Sequence, residues 1–195
     1  MKQGILLAAG FSRRFGCNKL LQPLADGRPM ALAAACHLRD AVSQVLAVIN
    51  DESSELMPLF RDSGIAVTVC PNAQDGMGAS LAWAVRASPQ AQAWIIALAD
   101  MPYVPPDLIN QVAQTVRLPW DIAAPFNGDR RGHPVGFGSA YYASLSKLKG
   151  DRGANSVIQA HANHIHKLAC NDNGIFIDID TPESLQNFAR KGRKD

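Results

Sequence analysis

The sequence predicts an α/β protein with a Rossmann-like, doubly wound sheet in three layers, its strands becoming mixed toward the C-terminus. Three observations carry that prediction. Short apolar runs alternate with longer helix-like segments up to about residue 120. Most of the runs are apolar on both faces, as central parallel strands covered by helices must be. Prolines stand where a first helical turn accepts them. Strand–helix alternation of this kind builds right-handed βαβ units.

Taken in order, GILLAA (4–9) reads as the first strand, 29–42 as a helix opened by Pro29, and QVLAVIN (44–50) as the second strand. A helix-like segment at 51–62 leads to a strand IAVTVC (65–70), and another at 77–88 leads to AWIIALA (93–99). A helix at 105–117 starts on Pro105 and Pro106 and precedes the strand DIAAPF (121–126). The rhythm then changes. FNGDRRGHPVGFG is turn-rich, and strand candidates follow at 164–169 and 174–179 without a long helix between them, so mixed or antiparallel pairing is expected there. A last helix, 181–191, opens TPESL: Thr181 can cap it, Pro182 suits its first position, and Asp180 and Glu183 complement its dipole. Trp83, Trp94 and Trp120 fall on element faces and are read as packing residues. With no repeat, low-complexity stretch or linker, residues 1–195 read as one domain.

Composition narrows the function classes. Of 195 residues, 47% are apolar and 18% charged, which excludes a disordered chain, and a net charge of +2 excludes an extended nucleic-acid or membrane surface. The basic residues Arg190, Lys191, Arg193 and Lys194 read as a solvated tail. Cys17, Cys36, Cys70 and Cys170 form no CxxC pair, which fits reduced thiols. The first apolar run is too short for a signal peptide, and no run approaches the roughly eighteen residues of a membrane span, so a cytoplasmic protein is expected.

The most informative stretch is ILLAAGFSRRFGCNKLLQPL (5–24), in which a buried-looking strand ends in a turn carrying Arg13, Arg14 and Lys19. Ligands of open α/β sheets bind beyond the carboxyl ends of strands. Gly10 and Gly16 permit close backbone approach, and backbone amides with Ser12, Arg14 and Lys19 could surround a polyphosphate. The stretch fits neither GxxxxGK[ST] nor GxGxxG. On the residues alone, a phosphate loop and a solvated basic turn both stand.

LLAAGFSRRFGCNKLL resembles the N-terminal signature of the MobA/MocA-like nucleotidyltransferases: LAAG or LAGG, then x-S-x-R-[MF]-G-x-x-K. In that register Arg14 is the signature arginine, Lys19 the lysine, and Arg13 fills a variable, solvent-facing position. DGMGASL (75–81), ALADMPYV (97–104), GHPVGF (132–137), GDRGANSVI (150–158) and DIDTPESL (178–185) follow in the same order. Together they are most similar to the molybdenum cofactor cytidylyltransferase branch. The resemblance implies a nucleotidyltransferase (GT-A-like) fold with a nucleotide-binding half, 1–120, and an acceptor-binding half, 121–195. It also implies CTP as donor, molybdenum cofactor (molybdopterin) as acceptor, Mg²⁺ as cofactor, and a client molybdoenzyme as partner.

The implied catalytic residues are Arg14, Lys19 and Asp100. The nucleotide site would comprise Leu7, Ala8, Ala9, Gly10, Ser12, Arg14, Lys19, Gly76, Met77, Ser80 and Asp100. Gly78 and Ala79 stand where the resembling motif has serines. Asp100, at a strand end, suits a Mg²⁺ ion that shares its oxygen shell with phosphates and water, or else caps the turn into Met101 and Pro102. Asp180 is the second metal candidate, with Asp178 as an alternative should 174–179 be a strand, and helix capping as its other reading. His133, Asp151 and Arg152 would face the acceptor, although a loop histidine can equally be structural; Asn155 replaces the arginine of GDxGAR. His161, His164 and His166 match no zinc spacing and are read as surface residues. A transferase for sugar phosphates or other phosphorylated alcohols, and a non-catalytic cofactor-binding accessory protein, are the alternatives.

Overall fold

The computed structural model describes residues 1–12 and 15–185. Arg13 and the signature Arg14 lie outside the described residues, as do positions 186–195 with the basic tail. The elements run β1 (Lys2–Ala8), α1 (Met30–Ala41), β2 (Gln44–Ile49), α2 (Leu56–Arg61), β3 (Ala66–Val69), α3 (Met77–Ala87), β4 (Ala93–Leu98), α4 (Pro106–Thr115) and β5 (Ile122–Asn127). The short strands β6 (Arg130–Arg131) and β7 (Val135–Gly138), the helices α5 (Tyr142–Leu145) and α6 (Asn155–Ala160), and β8 (Ile165–Ala169) follow.

One sheet joins the two halves in the order β3-β2-β1-β4-β7-β5-β6, with β8 also paired to β5. The strands β3, β2, β1 and β4 are mutually parallel, as their two-faced apolarity requires. Residues of β1 alternate between two cores. Leu6 and Ala8 pack with Met30, Leu38 and Ile109 on the α1, α2 and α4 side. Ile5, Leu7 and Ala9 pack with Leu81, Val85 and Val157 on the α3, α5 and α6 side. Three layers result.

The C-terminal third departs from expectation in three places. β7 lies at the end of FNGDRRGHPVGFG, where glycine and proline suggest turns, yet it is inserted between β4 and β5 and runs antiparallel to both. β8 stands where a strand is expected and pairs with β5 in parallel, through the register Ile122 to Ile165, so the sheet is mixed as read. Residues 174–179 form no strand: a 3-10 turn (Asn173–Phe176) is closed by the Asp172 carboxylate accepting from Gly174 N at 2.6 Å. Such local side-chain bonds offer the backbone an alternative to a ladder. α6 was not anticipated from GDRGANSVI, being only six residues long.

Segment 51–62 is a 3-10 turn (Asp51–Ser53) followed by α2 rather than one helix. Trp94 is fully buried and Trp83 donates to Thr68 at 2.9 Å, but Trp120 is 53% exposed and packs no core. The expected final helix starts as read. Ser184 N donates to Thr181 Oγ1 and Thr181 N to Ser184 Oγ, both at 3.2 Å, a reciprocal cap. Its continuation from 186 lies outside the described residues. The four cysteines are free thiols, and among the described residues no helix is long and apolar enough to cross a membrane.

Candidate active site

The strands β1 and β4 lie side by side, with Leu7 opposite Leu98, so the residues after each emerge together at their carboxyl ends. After β1 the backbone turns at Ser12, which has a positive φ of 48°. The turn is held from below by Asn50, 1% exposed, whose amide donates to the carbonyls of Ala9 at 3.1 Å and Gly10 at 3.3 Å. Ser12 Oγ then accepts from Lys19 N at 3.2 Å, which closes the loop onto a 3-10 turn, Lys19–Leu21.

That turn buries the Lys19 side chain and delivers its Nζ to two carboxylates, Asp100 Oδ2 at 2.8 Å and Asp180 Oδ1 at 2.6 Å. Asp180 reaches the site because Ile179 N donates to the Asp100 carbonyl at 3.0 Å, pinning the C-terminal segment to the end of β4. Burial alone would lower the lysine's pKa, but the two carboxylates outweigh it, so Lys19 is raised above its ordinary value and stays charged. Asp178 is exposed and lies in no strand, which removes the reason for its alternative reading.

Beside this ion cluster opens a cleft of about 430 Å³. It gathers Leu7, Ala9, Gly10, Ser12, Gly76, Met77, Ser80 and Asp100, all expected at the nucleotide. Among the described residues, two of those expected there lie outside its lining: Lys19 sits behind Asp100 in the ion cluster, and the alternation of β1 turns the Ala8 side chain into the opposite core, 1% exposed. Phe11, Ala73 and Gln74 also line the cleft, and with Asn50 they were missed because nothing in their local sequence marks them. Gly76, at φ 105°, begins α3 against the 149–151 loop, where an added Cβ would lie 2.3 Å from Asp151 Oδ1. Gly78 N donates to the Gly150 carbonyl at 2.7 Å, and a Cβ at 78 would lie 2.8 Å from the Lys149 carbonyl. This close approach is why glycine stands where the resembling motif has serine.

A second cleft of about 160 Å³ shares Leu7, Met77, Leu98 and Asp151 with the first. His133, Asp151 and Arg152, the expected acceptor residues, meet here, and Arg131 and Asn155 join them. His161, His164 and His166 are absent from both clefts. His164 Nδ1 lies 3.0 Å from the Tyr141 hydroxyl and His166 Nε2 lies 3.0 Å from Asp121 Oδ1, so these two fasten β8 to neighbouring turns. His161 stacks edge-on to Tyr141. Among the described residues no three His, Cys, Asp or Glu side chains form a closed metal cage. The carboxylates of Asp100 and Asp180, converging on one cation and partly open to solvent, fit an oxygen-liganded divalent ion whose remaining positions go to water and phosphate.

The profile of the MobA-like NTP transferase domain matches residues 4–165. The chain belongs to this family. Purine catabolism protein PucB of Bacillus subtilis is 32% identical over 200 residues, spanning 96% of this chain and 95% of that protein. Rv0371c of Mycobacterium tuberculosis H37Rv, solved also in complex with manganese, is 26% identical with a TM-score of 0.82, covering 97% of each chain. A nucleotidyl transferase from Methanothermobacter thermautotroptrophicus, Mth528, shares the fold at a TM-score of 0.84 and 18% identity, covering 98% of this chain and 97% of its own.

In this MobA-like NTP transferase the ring of His133 is tucked against β4, with a bond to the Ile96 carbonyl and Nδ1 shut away from water without a partner. Burial first, and the Arg131 charge second, pull its pKa down to about 4, so the ring is neutral at pH 7. In the unfolded chain the same group titrates near 6.5. The folded state therefore binds fewer protons between those values, and stability is lost as pH falls from about 6.5 toward 4. Urea unfolding of wild type and His133→Gln at pH 7.5, 5.5 and 4.5 should show the wild type losing up to about 3 kcal/mol more than the variant. Equal slopes for the two proteins would mean that the ring takes up its proton without unfolding.

Proposed function

We propose that the protein transfers a cytidylyl group from CTP to the phosphate of molybdenum cofactor, with Mg²⁺, and releases pyrophosphate. The observation that carries this reading is the Lys19 ammonium set between Asp100 and Asp180 at the edge of a nucleotide-sized cleft, itself continuous with a second, cation-bearing cleft. Phosphate-to-phosphate transfer needs alignment and charge neutralisation rather than covalent help from the protein. Ser12 and the loop amides would receive the triphosphate, Lys19 would supply positive charge beside it, and Arg14 keeps the phosphate role implied by its motif. Asp100 and Asp180 would hold Mg²⁺, which when bound supplies Lewis-acid neutralisation of phosphate charge. An acceptor phosphate is already ionised at pH 7, so no general base is required. The product would pass to a client molybdoenzyme.

Support for CTP comes from Ala9, whose methyl lines the nucleotide cleft where the guanylyl-transferring relatives' signature has glycine. One methyl narrows the site against a purine by about 1–3 kcal/mol, roughly 10- to 200-fold. Pyrophosphate release with CTP or GTP at saturating Mg²⁺, with and without molybdenum cofactor, tests the proposal. Acceptor-dependent release with CTP preferred is the expected result, and Ala9→Gly should raise GTP use while loosening the strand end by ~0.5–1 kcal/mol. A wild type that prefers GTP sinks the cytidylyl assignment. Release with a sugar phosphate but not molybdenum cofactor reassigns the acceptor.

A further inference from the structure

We propose that Arg131, aimed by Asn155, binds the acceptor's phosphate in the second cleft. The inference rests on the nucleotidyl-transfer reading and adds the residue pair that receives the attacking group. Arg131 Nη2 donates to Asn155 Oδ1 at 2.6 Å, across 24 positions of sequence, and both side chains line the cleft that adjoins the nucleotide site. The partner is a neutral amide, and among the described residues Arg131 makes no ion pair, so its charge is uncompensated. Burial holds the pKa of Arg131 below the ordinary guanidinium value, the mark of a cation stripped of some of its water.

A guanidinium carries five donors in a rigid fork, and the bond to Asn155 occupies one nitrogen while fixing the plane. The rest of the fork suits two oxygens of a phosphate. Arg152 lines the same cleft and adds a second cation, while Asp151, the one carboxylate there, stands where the two clefts join. His133 closes the wall of the cleft as a neutral ring, its Nδ1 shut away from solvent. The cleft is thus built for an anion. The competing reading is a pin that merely ties β6 to α6.

The experiment compares wild type with Arg131→Gln, Arg131→Lys, Asn155→Ala and the double variant Arg131→Gln/Asn155→Arg. Steady-state pyrophosphate release gives KM for molybdenum cofactor and for CTP, and ³¹P line broadening reports binding of inorganic phosphate independently of turnover. Arg131→Gln should raise the acceptor KM about 10- to 100-fold and reduce the broadening, with the CTP KM unmoved. Asn155 is a positioning residue, so Asn155→Ala should raise the acceptor KM by a smaller factor, about 3- to 10-fold. Arg131→Lys should not restore bidentate binding, whereas the double variant should recover part of it. An acceptor KM or phosphate broadening in Arg131→Gln equal to wild type overturns the proposal and leaves the pin. Turnover of a sugar phosphate alone would overturn the molybdenum cofactor reading, and the same KM comparison would then be made with that substrate. If no acceptor is turned over, loss of phosphate broadening in Arg131→Gln supports the proposal and unchanged broadening rejects it.

Discussion

Asp100→Asn is expected to fold and to lose about 10²- to 10³-fold in catalytic efficiency, the scale on which a single preorganised electrostatic group acts in an active site. Asparagine keeps the volume and one oxygen, so whatever Asp100 does as a turn cap into Met101 survives. The charge does not survive. Lys19 would then be shared with Asp180 alone, whose side chain is 44% exposed against 25% for Asp100, so the better-shielded half of the ion cluster is the half removed. A hard divalent cation would lose one of its two anionic protein ligands at the same stroke. Thermal unfolding, nucleotide-binding calorimetry and kcat/KM across a Mg²⁺ titration check this. Wild-type turnover with an unchanged Mg²⁺ dependence would return Asp100 to the role of a cap.

Gly76→Ala should be the most destabilising conservative change in the cleft, by about 2–5 kcal/mol. Two penalties combine at this position. The backbone sits at φ 105°, which a side chain rarely adopts, and the new Cβ would meet Asp151 Oδ1 at 2.3 Å and the Gly150 backbone at 2.6 Å. The contact could be relieved only by displacing the 149–151 loop, and that loop lines the junction of the two clefts. Both substrate KM values should therefore rise together. Gly150→Ala is the control: φ is 68° there, but nothing lies within 4 Å of the added Cβ, so only the backbone penalty of about 1–2 kcal/mol applies. Urea unfolding separates the two. Equal losses would show that the junction tolerates a methyl and is less tightly packed than its distances imply.

The legible and illegible parts of this protein divide by distance along the chain. Each of the parallel strands β1 to β4 carries its own apolar pattern, and α1, α3 and α4 their own proline or glycine start signals, so they could be read locally. The residues expected at the nucleotide came from the resemblance of their motifs. Architecture alone pointed to Gly10, Ser12 and Asp100, which follow strand ends, where α/β sheets send ligands. β7 was hidden because its place between β4 and β5 is decided by partners 13 to 45 positions away, while its own glycines and the proline before it favour turns.

The site's chemistry depends on longer spans still. Lys19 meets Asp100 across 81 positions and Asp180 across 161, and from sequence the lysine looked like a phosphate ligand and the acids like metal ligands, never one bridged cluster. Asn50, just past the end of β2, supports the loop after β1 across 41 positions. Asn155 looked like a lost cation until the fold set it against Arg131. Periodicity and capping are short-range properties and can be read from neighbours in the chain. A charge's partner and a carbonyl's donor are chosen by where the sheet brings strand ends together, and no local pattern records that choice.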